Sequence, residues 1–325
     1  MGPNSLIKPM IHLKDLVYSY PGQTSPALVG LSLNVPKESI FGILGPNGGG
    51  KSTTFKILST LITPDQGTVE IDGVDLIRFP SKVRALLGIV FQSPALDKKL
   101  TVEENLYHQG HLYGIKGQVL IEKTEFLLKR LGLWEKREEK TENLSGGQKR
   151  RLEITKSLVH QPQVLILDEP TTGLDPLARR EVWNYLKFLR ENEKMTILVT
   201  THLLEEAEDC DEIALIDRGK VVCEGKPSQL RHGMGGDLVS IRTSNPIELR
   251  ASIKERFELS MTSLGNDLRV QPKDLQTFIN FLVKEASQKF DNFTVGKPTL
   301  EDLFIEKTGH HFWEERKAGK VQVSS

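Results

Sequence analysis

The sequence predicts an α/β fold organised around a parallel sheet, with a smaller α+β domain after it. Three stretches carry that reading. The apolar run Ile40-Phe41-Gly42-Ile43-Leu44 feeds a glycine-rich turn and then a helix-forming segment from Lys51. Val164-Leu165-Ile166-Leu167 is an unbroken apolar run ending on the acidic pair Asp168-Glu169, and residues 196–200 repeat the form just ahead of His202. Runs without polar alternation suit strands covered on both faces, and strands separated by helical segments favour parallel pairing. In such sheets the working side chains gather where the strands' carboxyl ends emerge.

Taken in order, residues 11–70 alternate short apolar runs with turn signals such as Pro21-Gly22 and Asp65-Gln66-Gly67, which predicts strands around one helix over 51–61. Residues 101–160 turn helical. Phe126, Leu127 and Leu131 give 122–131 an apolar face, and Leu152, Ile154 and Leu158 do the same for 150–159. The segment 93–115, with Leu100, Val102, Leu106 and Tyr113, also reads as helical. Arg231-His232-Gly233-Met234-Gly235-Gly236 reads as a linker, which divides the chain into 1–236 and 237–325, with a helical subdomain over about 93–162. Beyond the linker the pattern gives a strand at 238–242, a helix at 247–257, strands within 259–270, a helix at 274–289 and a strand at 292–295. Leu275, Phe278, Leu282 and Ala286 share one face of the second helix. Thr299 and Asp302 form a variant capping box for a final helix through Lys307, and the residues from His311 onward read as a frayed end.

The charges balance, 43 basic against 43 acidic, so the basic excess of a nucleic-acid surface is missing and no nucleic-acid partner is expected. Cys210 and Cys223 fit no metal-ligand spacing and read as reduced thiols of a cytosolic protein. The start lacks the apolar stretch of a secretory signal, and no apolar run reaches the length of a membrane span. The expectation is a chain soluble on its own.

The chemistry begins at Gly45-Pro46-Asn47-Gly48-Gly49-Gly50-Lys51-Ser52-Thr53, which fits G-x-x-x-x-G-K-[ST] in a strand–loop–helix context. Glycines let successive backbone N–H groups converge on phosphate oxygens, and a helix N-terminus adds positive partial charge where the anion lies. Lys51 then reaches the β- and γ-phosphates and the Ser52 hydroxyl ligates Mg²⁺. Asp168 is the natural Mg²⁺ partner, directly or through water, and Glu169 is placed to orient or deprotonate an attacking water. Leu144-Ser145-Gly146-Gly147-Gln148 precedes another helix and offers a hydroxyl, close backbone approach and a positive dipole end, a second anion site.

In their order these motifs resemble those of ATP-binding cassette (ABC) transporter ATPases, over roughly residues 10–230. The phosphate loop resembles that family's Walker A element, Leu144 to Gln148 its signature motif, and Val164 to Glu169 its Walker B strand. Gly173-Leu174-Asp175 resembles the D-loop, Phe91-Gln92-Ser93-Pro94 the Q-loop, and Thr200-Thr201-His202 the switch-histidine segment. The resemblance implies a P-loop NTPase fold of the ABC cassette type, a mixed sheet core with a helical subdomain, that binds ATP and Mg²⁺. Gln92 then contacts Mg²⁺ and the water, His202 the γ-phosphate, and Tyr20 stacks on adenine, with Tyr18 the competing aromatic. Two cassettes would pack head to tail, each ATP lying between one copy's Lys51 and the other's Ser145, with Asp175 near the join.

Residues 144–176 are similar to the daunorubicin-resistance-like branch, whose members pair with separate ABC-2-type membrane permeases and often carry a C-terminal domain closing on a stretch like Pro298-Thr299-Leu300-Glu301-Asp302-Leu303-Phe304. That resemblance implies an ATP-hydrolysing motor subunit of an exporter, peripheral on the cytoplasmic face of the membrane through its permease. In the family the neighbourhood of 93–115 receives the permease's coupling helix. Gly49 stands where alanine is usual, and Glu38-Ser39 where Gly-Glu often precedes the strand. The alternative is a non-transport ABC ATPase that remodels a soluble complex. The chromosomal kind inserts long coiled coils between the first loop and the signature, whereas Lys51 to Leu144 holds no sustained heptads. His108, His111, His310, His311 and the Glu205-Glu206 pair read as solvated.

Overall fold

Strand-forming runs and helix caps assemble as two units in the computed structural model, which describes residues 8–259 and 261–312. The first unit ends at Cys223 and the second begins at Glu224. In the first, β1 (Ile11–Tyr18), β2 (Leu28–Val35) and β3 (Ile40–Leu44) lead into α1 (Lys51–Leu58). Then come β4 (Gln66–Ile71), β5 (Val74–Asp75), α2 (Pro80–Leu86) and β6 (Leu87–Val90). The helices α3 (Val102–Leu112), α4 (Gly117–Arg130) and α5 (Gly146–Leu158) follow, then β7 (Val164–Asp168) and α6 (Pro176–Glu193). The unit closes with β8 (Thr196–Thr201), α7 (Leu204–Glu208), β9 (Glu212–Asp217) and most of β10 (Lys220–Gly225), within which the division falls.

Six strands form the main sheet in the order β10-β9-β3-β8-β7-β6, and β3, β6, β7, β8 and β9 pair in parallel. A second sheet, β2-β1-β4-β5, is antiparallel. Every residue of β3, β7 and β8 is buried, as their unbroken apolar runs predict. One core joins the two sheets: Phe55, Ile57 and Leu58 of α1 pack with Leu13, Leu31 and Val69 on one side and Phe41, Ile166 and Leu198 on the other. The loop ahead of α1 is thereby held against a rigid platform.

Several boundaries differ from those read in the sequence. The helix from Lys51 stops at Leu58, because Thr60 takes a left-handed φ of 62° and leaves Leu61 58% exposed. Residues 93–100 are not helical. Pro94 disfavours the helical region for Ser93, and the helix starts only where Thr101 and Glu104 form a capping box. α4 begins at Gly117, and its buried stripe is Leu120, Thr124 and Leu128. Phe126 is therefore turned outward and meets the Arg130 guanidinium 5.3 Å from its ring.

The second unit holds α8 (Pro227–His232), β11 (Leu238–Arg242), α9 (Pro246–Arg256), β12 (Met261–Leu264) and β13 (Asp267–Val270). It ends with α10 (Leu275–Lys284), β14 (Asn292–Gly296) and α11 (Leu300–Thr308). The sheet order is β12-β13-β11-β14, with antiparallel pairing throughout. Phe278, Phe281 and Leu282 of α10 meet Leu249 and Ile253 of α9 in its core. Thr299 and Asp302 do form the capping box. The stretch read as a linker is partly α8, which packs on α11, so the contacts put the division ahead of the linker. The frayed end expected from His311 lies outside the described residues beyond Phe312, which is itself buried.

Candidate functional site

The phosphate loop is shaped by what a side chain would strike. A Cβ on Gly45 would sit 2.3 Å from the Ile216 carbonyl oxygen, and one on Gly50, whose φ is 113°, would sit 2.9 Å from Leu28. Gly48 has a φ of 76°, a conformation that L side chains rarely adopt. Gly49 N–H donates to Pro46 O at 3.1 Å, and Gly49 O accepts from Gly219 N at 2.9 Å, which pins the loop to the turn after β9. Asn47 and Gly48 are exposed at its crest. The α1 N-terminus has Gly50 as its N-cap and no side-chain cap, so its first N–H groups are not taken by a capping oxygen. Lys51 is 4% exposed and donates from Nζ to Gly45 O at 2.8 Å and Pro46 O at 3.2 Å. Burial pushes its ammonium pKa down, against the pull of Glu169 and Asp168. A concave loop of backbone donors with a desolvated cation inside it fits a polyphosphate.

Opposite the loop, the carboxyl end of β7 presents two carboxylates in different settings. Asp168 is buried, and burial raises its pKa, opposed by the hydrogen bond from Thr200. That bond runs from Thr200 Oγ1 to Asp168 Oδ1 at 2.5 Å. Glu169 takes a left-handed φ of 43°, held there because its N–H donates to both Thr200 O and Thr200 Oγ1 at 3.1 Å. Such strain in a non-glycine residue persists only where its surroundings impose it.

The strained backbone aims the Glu169 side chain at four partners. Its Oε2 accepts from Gln92 Nε2 at 3.1 Å and Thr172 Oγ1 at 3.2 Å, and lies 3.1 Å from His202 Nδ1. Its Oε1 lies 3.7 Å from Lys51 Nζ. Residues from four separate stretches of the chain thus converge on one carboxylate. Tyr20 is half-buried beside the loop, its hydroxyl 3.3 Å from Thr53 Oγ1, with Lys56 Nζ 5.3 Å from its ring centroid. Tyr18 meets Tyr20 edge-on at 5.0 Å, so both aromatics flank the same side.

Known proteins are similar to this chain in sequence and in fold. The ABC transporter family pattern matches residues 28–172. Over 309 residues the chain is 36% identical to the daunorubicin/doxorubicin resistance ATP-binding protein DrrA of Streptomyces peucetius, covering 92% of each chain. It is also 36% identical over 313 residues to the Nod factor export ATP-binding protein I of Ralstonia nicotianae, covering 95% of this chain and 96% of that one. This chain belongs to the ABC transporter family. Among solved structures it is similar to the dimeric post-hydrolysis ATP-binding cassette MJ0796 bound to ADP and Pi, with a TM-score of 0.59 and 29% identity over 67% of this chain and 98% of that one. It is an ABC ATPase cassette, followed by a small α+β unit.

The motif read as a second anion site takes no part in the Glu169 contacts described above. Ser145 N-caps α5 and accepts from Gln148 N at 3.3 Å, while Gln148 Oε1 accepts from Ser145 N at 3.0 Å, a closed capping box. Ser145 and Gly146 are exposed at the helix tip. Gly147 has a packing reason of its own: a Cβ there would lie 2.7 Å from Ala178 Cβ, so glycine lets α5 close on α6. Asp175 N-caps α6 by accepting from Ala178 N at 2.9 Å.

Two features of the ABC cassette escaped the sequence reading. Arg150 is buried and donates to Pro170 O at 2.6 Å, Phe91 O at 2.7 Å and Asp168 O at 3.3 Å, while pairing with Glu153 Oε2 at 2.9 Å. One guanidinium thus ties the signature helix to the residue before Gln92 and to the residues on either side of Glu169. An i,i+3 pair of opposite charges in α5, with Arg150 four residues ahead of the apolar Ile154 and so on its face, was the available signal. The other is Glu206, read as solvated but 2% exposed, whereas Glu205 is solvated as expected. A helix of five residues such as α7 holds too few turns for periodicity to say which of two adjacent glutamates points inward. Among the described residues no helix is long and apolar enough to cross a membrane.

Proposed function

We propose that the chain is the Mg-ATP-hydrolysing motor subunit of an ABC-2-type membrane exporter, working as a head-to-tail homodimer on the cytoplasmic face with a separate permease. The observation that carries the reading is the convergence of Lys51, Gln92, Thr172 and His202 on Glu169, one residue past Asp168. In this reading the backbone N–H groups of Gly45, Asn47, Gly48, Gly50, Ser52 and Thr53, with the Lys51 ammonium, bind the phosphates, and Tyr20 stacks on adenine. Pro46, which has no N–H, and Gly49, whose N–H is held by Pro46 O, shape the turn. Ser52, Gln92 and Asp168 hold Mg²⁺, which when bound neutralises phosphate charge and eases attack at the terminal phosphorus.

Glu169 takes the proton of the attacking water at Oε2, the oxygen that faces Gln92 and His202, a contribution of about 10²–10⁴ in rate. His202 and Lys51 balance the charge that develops at the terminal phosphate. Ser145, Gly146, Gly147, Gln148 and Asp175 of a second copy close the site. That assignment is supported by the exposure of the α5 tip, where Ser145 and Gln148 bond to each other and not to Glu169. Closure would then follow nucleotide binding, because only the closed dimer offers the γ-phosphate both helix N-termini.

The docking face we assign to the permease is the cleft lined by Phe91, Ala95, Gln109, Tyr113, Lys156 and His160. Tyr113 stacks on His160 with ring centroids 3.8 Å apart, and Lys156 donates to Ala95 O at 2.8 Å, so an occupant there would press on the Gln92 loop. Export draws support from the names of the relatives above, two of which are resistance or export ATP-binding proteins. Isolation of the native complex through a tag on this chain tests the reading. A multi-span membrane chain in stoichiometric amount is expected; a soluble partner and no membrane chain would contradict it.

A further inference from the structure

Glu206 has no part in the reading of Glu169, Gln92 and His202, yet it is among the most buried carboxylates of the cassette, 2% exposed. Burying a carboxylate is unfavourable unless hydrogen bonds compensate it. Here its Oε2 accepts from Thr201 Oγ1 at 2.6 Å and its Oε1 accepts from Thr171 Oγ1, with Arg179 Nε 4.0 Å away. What those hydroxyls belong to is the point of interest.

Thr201 ends β8, directly before His202, and its Oγ1 also accepts from Leu203 N at 3.0 Å. The hydroxyl therefore closes the turn that carries the imidazole, and Glu206 anchors the hydroxyl. Thr171 lies two residues past Glu169, and its neighbour Thr172 donates to Glu169 Oε2 at 3.2 Å. One buried carboxylate thus grips both stretches of backbone from which Glu169 and His202 project, behind their 3.1 Å contact. An apolar side chain of similar volume would fill the space without joining the two stretches.

We propose that Glu206 is a positioning residue for ATP hydrolysis, fixing the spacing between the Glu169 carboxylate and the His202 imidazole through the hydroxyls of Thr171 and Thr201. The inference rests on the roles given to Glu169 and His202 above. Because the carboxylate of Glu206 is engaged by Thr171, Thr201 and Arg179 and not by residues of the phosphate loop, its loss acts on turnover and leaves nucleotide binding in place.

The test is steady-state ATP hydrolysis by the full chain in a set of variants. Glu206→Gln keeps the shape and one acceptor, and it should lower kcat roughly tenfold while the KM for ATP moves less than about twofold. Thr171→Val should reproduce that loss by removing the other end of the link. In a His202→Ala background the same Glu206→Gln change should lower kcat by less than about twofold further, since residues that act through one another are not additive. A Glu206→Gln enzyme with wild-type kcat would overturn the proposal. So would an equal fold-loss in both backgrounds accompanied by a fall in Tm, the mark of general support of the fold. If Glu169→Gln and His202→Ala themselves turn over like the wild type, the underlying site reading fails first and takes the inference with it.

Discussion

Gln92 Nε2 donates to Glu169 Oε2 across 3.1 Å, joining a loop residue to a strand-end residue 77 positions away. The link places the residue read as a contact of Mg²⁺ and the attacking water in direct contact with the residue read as the base. Arg150 holds the Phe91 carbonyl immediately before it and the Pro170 carbonyl immediately after Glu169. A displacement of the signature helix is therefore felt at both ends of this contact.

Replacing Arg150 by methionine should separate that coupling from simple stability. Glu153 would be left buried and unpaired, a loss of about 3–5 kcal/mol. The double change Arg150→Met with Glu153→Met should recover only the share of the loss that comes from the unpaired charge, because the Phe91, Asp168 and Pro170 carbonyls and the Ala95 N–H still lack their partners. Turnover should stay low in the double variant, since the carbonyls of Phe91, Asp168 and Pro170 have lost their common donor. Thermal unfolding and ATP hydrolysis measured together check this.

Lys51→Ala should abolish ATP binding and turnover together, read by a fluorescent ATP analogue and by phosphate release. Normal turnover in that variant would refute the site.

Gly147→Ala should destabilise the cassette by about 1–3 kcal/mol even without nucleotide, because its new methyl would overpack the α5–α6 contact. The position lies 2.7 Å from Ala178 Cβ. An unchanged Tm would mean that the glycine is needed only at a nucleotide.

Asp168 gives a pH prediction whose sign is fixed by its burial. Its folded pKa is raised above 3.8, so the stability linked to its protonation is present below the unfolded value and lost as pH rises through the folded one. Asp168→Asn escapes that loss at neutral pH and keeps an acceptor for Thr200. It should unfold no lower than the parent in metal-free buffer while failing in Mg-dependent hydrolysis.

The parts of this site that were legible in sequence are those whose chemistry is local. A phosphate loop needs its glycines, lysine and serine in one turn, and the Walker B strand ends in its two carboxylates, so residues 45–53 and 168–169 could be read directly. The strands β3, β7 and β8 were legible for a similar reason, being apolar on both faces. Contacts made at long range were not. Thr200, Arg150 and Glu206 act on partners 18 to 59 positions away, from Asp168 to Phe91, or on a hydroxyl 35 positions away in Thr171. No spacing rule announces such pairs. The outward turn of Phe126 was missed because a helix with apolar residues on two sides leaves periodicity undecided, and only packing showed that Leu120, Thr124 and Leu128 face inward. In the second unit the capping box at Thr299 and the apolar face of α10 were readable, since both are short-range patterns.

The most direct measurement of the central claim is the mass in solution of the Glu169→Gln variant with saturating Mg-ATP. Blocking the base while sparing Lys51, Ser52 and Ser145 should trap the closed pair, so light scattering should show twice the single-chain mass with ATP and the single-chain mass without it. A variant that binds ATP and yet remains a single chain, alone and with its native partners, would contradict a site shared between two copies.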